Sequence, residues 1–131
     1  SLDYLNYLVP NDMEKIKELG KGLYTQICNE TGGTIDDLII YNMGDKFLVV
    51  VNASNIEKDW NWFNANKKNF DVKLENESDK TSLLALQGPR AEEQLAKVLN
   101  VKMEDLKNHK YFEIKKYGDY LVARTGYTGE D

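Results

Sequence analysis

The sequence is poor in cysteine and histidine and has no long apolar run. Cys28 is the only cysteine and His109 the only histidine, so the chain cannot form an internal disulfide. A Cys/His metal centre or a Ser/His relay would lack partners, and we expect neither. A single cysteine suits a reducing cytoplasm, where we expect the protein to work. No apolar run reaches the length of a membrane span, and residues 1–4 show no basic, signal-like start, so we expect no membrane association.

Charge and length narrow the function further. The net charge of -5 is spread along the chain, which argues against a nucleic-acid partner because phosphate binding needs clustered positive charge. With 131 residues, 41% hydrophobic and 30% charged, the composition is that of an ordinary globular chain long enough to bury a core. We therefore expect a single segment over residues 1–131.

Hydrophobic spacing predicts an α+β fold, with a mainly antiparallel sheet and flanking helices. Helical spacing predicts helices near residues 2–9, 56–63, 89–99 and 103–106, with a weaker turn at 13–19. Alternation predicts strands near residues 23–28, 34–41, 47–51, 70–74, 81–87, 111–117 and 120–125. The strands at 23–28, 34–41 and 47–51 are joined by short turns, so we expect them to form a meander. The unbroken apolar run 47–51 is typical of a central strand covered on both faces.

Three local signals refine the helices and the hairpin. Ser54, followed three residues later by Glu57, predicts a capping box at the start of the second helix. Trp62 lies off the apolar face of that helix and is either a further core contact or an exposed anchor. Pro89 predicts the start of the helix at 89–99, and Gly118-Asp119 the turn of the last hairpin.

Two adjacent carboxylates, Asp36 and Asp37, interrupt an otherwise apolar strand. Successive side chains of a strand point to opposite faces, so at least one of the two is directed away from bulk water. A carboxylate among apolar side chains needs a hydrogen bond, a counter-charge, a proton or a ligand. Two readings stay open: one aspartate caps the preceding Gly-Gly turn, or one belongs to a binding site. We favour Asp37 for the site and Asp36 for a structural role at the turn or a nearby backbone amide.

Further polar and aromatic side chains lie at predicted strand ends. If the meander is in simple register, Asn52 lies beside Asp37 on the neighbouring strand. A cleft of this kind suits a flat heteroaromatic ligand, with the carboxylate accepting N–H bonds and tyrosine rings stacking. The alternative is that these tyrosines are ordinary rim residues. The tyrosines in question are Tyr24, Tyr41 and Tyr127.

Four sequence blocks, in order, resemble aminomethyltransferase, the T protein of the glycine cleavage system. The blocks are GTIDDLIIY at 33–41, VVVNA at 49–53 with EKD at 57–59, ALQGP at 85–89, and RTGYTGED at 124–131. The resemblance covers essentially the whole chain and implies part of that family's folate-binding fold. It also implies that a preceding N-terminal part and a C-terminal barrel domain of the family lie outside these residues.

The resemblance implies a tetrahydrofolate-dependent transferase of one-carbon metabolism and glycine catabolism. In that family the aminomethyl group on the lipoyl arm of H protein passes to folate, which gives 5,10-methylenetetrahydrofolate and ammonia. By motif position Asp37 matches the catalytic aspartate and Asn52 a pterin-binding asparagine. Tyr24 and Tyr127 match folate-lining tyrosines, and Tyr111 is expected in the same wall, beside Phe112 where the family often has tyrosine. Tyr41 joins the expected binding residues from the strand-end pattern.

Three functions remain open from the sequence. The first is an aminomethyltransferase segment that bears half of a folate site. The second is a non-catalytic folate-binding or assembly protein on the same fold. The third is a chain that folds but binds nothing by itself. We expect residues 1–131 alone to be inactive, because they hold only part of the pocket. We also expect weak or absent folate binding, because the sequence offers no basic anchor for folate's anionic tail.

Overall fold

The computed structural model describes residues 1–129. The chain divides into two compact units, Ser1–Ser82 and a second unit that begins at Leu83. The first unit contains helix α1 (Leu2–Leu8), strands β1 (Gly22–Cys28), β2 (Thr34–Asn42) and β3 (Phe47–Val50), and helix α2 (Ile56–Ala65). The second contains helices α3 (Ala91–Leu99) and α4 (Met103–Lys107) and strands β4 (Glu113–Tyr117) and β5 (Tyr120–Arg124). Within residues 1–129 no helix has the length and apolarity that a membrane crossing requires.

The predicted meander is confirmed, with its strands in the order β1-β2-β3 and every pair antiparallel. The central strand is β2, so the prediction that the run at 47–51 is central is wrong. Strand β3 is an edge strand, and each of its four residues is half-buried. An apolar run shows that a strand is covered, but only the pairing of the folded chain decides which strand has two neighbours.

The core of the first unit lies on one face of β1 and β2. Ile27, Leu38 and Ile40 belong to a buried cluster that also contains side chains of α1, of the single helical turn Met13–Ile16 and of α2. The Tyr4 hydroxyl donates to the Phe63 carbonyl at 2.6 Å, which satisfies the phenol inside the cluster and joins the two helices. Trp62 packs against the same cluster, so the core-packing alternative is the one observed.

One predicted helix cap and two predicted strands are wrong. Helix α2 begins at Ile56 with Asn55 before it, and no side chain caps that end; Ser54 lies in the preceding turn Ala53–Asn55. The segments 70–74 and 81–87 form no strands. Their alternating pattern is compatible with a strand, but a strand also needs a partner that accepts its backbone hydrogen bonds.

The second unit consists of two short helices and a hairpin. Helix α3 begins at Ala91, two residues after Pro89, and Asn100 ends it in the left-handed conformation (φ 53°). Strands β4 and β5 pair from Glu113 opposite Arg124 to Tyr117 opposite Tyr120, which confirms the hairpin. The guanidinium of Arg124 donates to the carbonyls of Leu106 (3.0 Å) and His109 (3.1 Å) and so ties β5 to the end of α4.

Candidate functional site

The turn before β2 is organised by Asn29. Its Oδ1 accepts hydrogen bonds from the backbone N–H of Thr31 (3.1 Å) and of Gly33 (2.7 Å) and from the Thr31 hydroxyl (2.8 Å). A Cβ at Gly33 would lie 2.9 Å from Asn29 Nδ2, so a larger residue at this position would displace the Asn29 side chain. Of the two structural roles predicted for Asp36, service to the Gly-Gly turn is wrong, because Asn29 already caps that turn. The other role, a bond to a nearby backbone amide, is the one observed, since the backbone N–H of Asp37 contributes to the lowered pKa of Asp36.

The carboxylate of Asp37 is held between two neighbouring strands. The Tyr24 hydroxyl of β1 donates to Asp37 Oδ2 at 2.6 Å, and Asn52 Nδ2, just after β3, donates to Asp37 Oδ1 at 3.0 Å. Val50 lies opposite Ile39, so Asn52, two residues further on, comes beside Asp37. Tyr24 also lies opposite Ile39, and its long side chain reaches Asp37 as a diagonal neighbour across the strand pair. The prediction that Asp37 and Asn52 meet across the meander is confirmed.

This polar group, Tyr24, Asp37 and Asn52, retains hydrogen-bonding capacity on the surface. Each carboxylate oxygen has two lone pairs, so Asp37 can accept further bonds beside those from Tyr24 and Asn52. Among the described residues no donor reaches Asn52 Oδ1, and because the side chain is exposed, this oxygen is open to a ligand. The Tyr24 side chain is 50% exposed, and its hydrogen bond to Asp37 raises the pKa of its phenol, as does partial desolvation. The group can therefore accept N–H bonds from a ligand and present a ring beside them.

A pair of carboxyl groups, Asp36 and Asp59, lies behind this polar group, on the buried face of β2. Asp36 is 8% exposed and Asp59, from α2, is 0% exposed. Burial alone would raise the pKa of Asp36, but hydrogen bonds from Asp59, Asn55 and Asn52 lower it overall. Burial, with the hydrogen bond to Asp36 and the negative charge of Asp36, raises the pKa of Asp59 to about 7. The two neighbouring carboxyls therefore have pKa values shifted in opposite directions, with Asp59 the more readily protonated of the two.

Comparison with known proteins gives the family. The family model described as "GCVT N-terminal domain" matches residues 1–131. The chain belongs to this family. It is 46% identical over 133 residues to the aminomethyltransferase of Thermotoga neapolitana, covering 100% of this chain and 36% of that protein. It is 46% identical over 134 residues to the aminomethyltransferase of Clostridium botulinum, covering 98% of this chain and 35% of that protein.

A solved structure shows the same fold. The crystal structure of glycine cleavage system aminomethyltransferase T from Bartonella henselae matches with a TM-score of 0.76 at 22% identity, covering 99% of this chain and 35% of that one. The α+β prediction is confirmed by this match and by the antiparallel sheets with flanking helices. The chain thus spans about a third of the length of the relatives it matches.

Three other predicted binding residues of this GCVT N-terminal domain lie apart from the polar group or in the second unit. Tyr41, at the far end of β2, is 2% exposed, so in this conformation its ring offers no open face. In the second unit, Tyr111 is 60% exposed and donates from its hydroxyl to the Gly126 carbonyl at 3.0 Å, and Tyr127 is 86% exposed. The folate-binding roles of all three stay predictions. Glu130 and Asp131, the end of the last sequence block, lie outside the described residues.

Sequence reasoning assigned no role to Asp59, which the structure places next to Asp36. A signal was present: Ile56, Asp59 and Phe63 share the apolar face of α2, so a carboxylate interrupts the helix side that enters the core. His109, by contrast, is 3% exposed with Nε2 2.8 Å from the Glu113 carbonyl, and burial lowers its pKa. Within residues 1–129 no three acidic, histidine or cysteine side chains are grouped so as to hold a metal ion.

Proposed function

We propose that this chain carries the catalytic carboxylate and part of the tetrahydrofolate site of an aminomethyltransferase. The reaction is transfer of the aminomethyl group from the lipoyl arm of H protein to tetrahydrofolate, with 5,10-methylenetetrahydrofolate and ammonia as products. The observation that supports this most directly is Asp37, which Tyr24 and Asn52 hold at the surface with free lone pairs. Membership in the GCVT N-terminal domain family and relatives named aminomethyltransferase give the reaction class.

The polar group fits the chemistry of a reduced pterin. Such a ring carries N–H and amino donors along one edge and a flat face, and a carboxylate, an amide oxygen and a phenol ring complement these features. In this proposal Asp37 accepts an N–H bond from the ring and keeps it oriented, and Asn52 Oδ1 accepts a second. Tyr24 fixes the carboxylate through its 2.6 Å hydrogen bond and lines the wall of the site.

The nucleophile in this reaction belongs to the substrate. Tetrahydrofolate supplies N5, which attacks the aminomethyl carbon, so the chain needs to hold and orient rather than to form a covalent bond. A carboxylate next to the reacting nitrogen can also take up or return a proton in the course of transfer. We assign this role to Asp37, and we include Tyr41, Tyr111 and Tyr127 as further proposed folate contacts.

The partners and the location follow from the same proposal. The proposed partners are lipoylated H protein and tetrahydrofolate, and the single cysteine suits a cytoplasmic setting. The chain spans about 36% of the Thermotoga neapolitana relative, so the complete activity is proposed for the full-length protein. We expect the 131-residue chain to bind tetrahydrofolate weakly or not at all, and titration calorimetry measures this directly.

The decisive experiment replaces Asp37 by Asn in the full-length protein. Asparagine keeps the size of the side chain but removes the charge and the proton-accepting carboxylate, so we expect folate-dependent ammonia release from aminomethyl-loaded H protein to fall about 100-fold or more. The matched control is Asp71→Asn, at an exposed position of the same unit, which should retain wild-type turnover.

Two results would contradict the proposal. Wild-type turnover in Asp37→Asn would remove Asp37 from the chemistry. Binding of tetrahydrofolate by the full-length protein without formation of methylenetetrahydrofolate from loaded H protein would favour the non-catalytic folate-binding alternative.

A further inference from the structure

The feature that the proposed reaction leaves unexplained is the buried carboxyl of Asp59. The side chain is 0% exposed, and among the described residues no amide, hydroxyl or ammonium donor reaches either of its oxygens. The same holds for Oδ2 of its neighbour Asp36. An ionised carboxylate is stable in a protein interior only with donors or a counter-charge around it. Three neighbouring carboxyl oxygens without a donor are therefore best satisfied if one of the two carboxyls is protonated.

The charged groups around Asp59 favour the neutral acid. Asp36 and Asp37, both on β2, raise the pKa of Asp59, whereas Lys58 of α2 lowers it. The Lys58 ammonium, however, donates to the Ile35 carbonyl at 2.7 Å, so the structure directs it to the backbone of β2. Burial is the largest cause and acts in the same direction as the two aspartates. Asp59 is thus the member of the pair that carries the proton, and its O–H donates a hydrogen bond to the Asp36 carboxylate.

The Asn52 side chain, a member of the polar group, also contacts this buried pair. Asn52 Nδ2 lies 3.1 Å from Asp36 Oδ1, 3.0 Å from Asp37 Oδ1 and 3.1 Å from the Asp37 carbonyl. The amide therefore bridges the buried carboxylate of Asp36 and the half-buried carboxylate of Asp37. A second negative charge behind Asp36 would change the balance of these bonds, because charge-assisted hydrogen bonds respond strongly to the charge of the acceptor.

We propose that Asp59 and Asp36 share one proton and that this protonated pair positions Asn52, and through it Asp37, for folate. Asp59 is in this view a positioning residue, since it contacts another side chain of the protein rather than the ligand. The functional part of the inference rests on the function proposed above. The proton itself and its link to Asn52 can be observed without folate or H protein.

The first test is a carbon and nitrogen NMR titration of the 131-residue chain. We expect the Asp59 carboxyl to titrate with a midpoint of about pH 7 and the Asn52 side-chain amide to shift with the same midpoint. In Asp59→Asn the Asn52 transition near this pH should disappear, whereas it should persist in the exposed control Asp71→Asn. A normal acidic midpoint for Asp59, or an Asn52 amide that does not follow it, would overturn the proposal.

A second variant keeps the test valid if Asp59→Asn does not fold. In Asp36→Asn the partner loses its charge and its amide can donate to Asp59, so the Asp59 midpoint should move to lower pH. An unchanged midpoint in this variant would show that Asp36 is not the proton's partner.

The last test uses turnover of the full-length protein. Wild-type kcat/KM should fall about tenfold per pH unit above the Asp59 midpoint, and this alkaline decline should be absent from Asp59→Asn. The same decline in both proteins would overturn the positioning role. Absence of folate turnover at every pH would count against the proposed function instead, and the NMR titration would still decide whether the pair exists.

Discussion

Replacing Asp59 by Asn should make the protein more stable at neutral and alkaline pH. Asparagine has nearly the same shape, its amide can donate to Asp36 as the protonated acid does, and its oxygen is left without a donor, as the carbonyl oxygen of the acid is. The substitution therefore retains the hydrogen bond and removes only the proton that can dissociate. The variant and the wild type should differ in free energy of unfolding more strongly as pH rises. At high pH the folded wild type must either retain the Asp59 proton or bury a second negative charge, and both cost stability.

The size of the effect follows from the pKa of Asp59, which is raised from 3.8 to about 7 in the folded chain. Between these two values the folded state binds more protons than the unfolded state, so the free energy of unfolding falls as pH rises through that window. A shift of about three units corresponds to about 4 kcal/mol at 1.36 kcal/mol per unit. The lowered pKa of Asp36 has the opposite effect: ionisation of Asp36 stabilises the folded state and offsets part of the loss caused by Asp59. We expect Asp59→Asn to gain about 2 to 4 kcal/mol over wild type above pH 7 and little at pH 4.

The assay is urea unfolding monitored by tryptophan fluorescence from pH 4 to pH 9. Trp60 and Trp62 are the only tryptophans, and both lie on α2 beside Asp59, so the signal reports this unit. The control Asp71→Asn changes an exposed side chain and should stay within about 0.5 kcal/mol of wild type. Wild-type and Asp59→Asn profiles that run parallel over the whole pH range would refute the shared proton.

Two further predictions concern the polar group and the turn before it. Asp37→Asn should lower the pKa of the Tyr24 phenol towards its ordinary value, because the carboxylate that raises it is gone; ultraviolet difference titration against Tyr24→Phe measures this, and an unchanged Tyr24 transition would contradict the hydrogen bond. Asn29→Ala should reduce the free energy of unfolding by about 1 to 2 kcal/mol, because the bonds from Thr31 and Gly33 to its side chain are lost. The tryptophan assay checks this, and a change below about 0.3 kcal/mol would mean that the turn is held by other contacts.

The meeting of Asp37 and Asn52 could be predicted because it depends on local quantities. Alternation fixes which side chains share a face, and short turns between neighbouring strands fix their register within narrow limits. The same reasoning failed for residues 70–74 and 81–87, since the alternating pattern there finds no partner strand. It also failed at Ser54, because a preceding helical turn takes up the residues expected to cap α2.

The sequence alone determined the meander, the hairpin, most helices and the meeting of Asp37 with Asn52. These features depend on periodicity and on residues close together in the chain, where each side chain's options are few. Only the tertiary structure decided that β2 is the central strand and that Asp59 is buried against Asp36. Those two aspartates lie 23 positions apart in the chain, and no local pattern encodes the packing of α2 against β2. The protonation of the pair follows from that packing, because exclusion from water gives the two carboxyls unequal affinities for one proton.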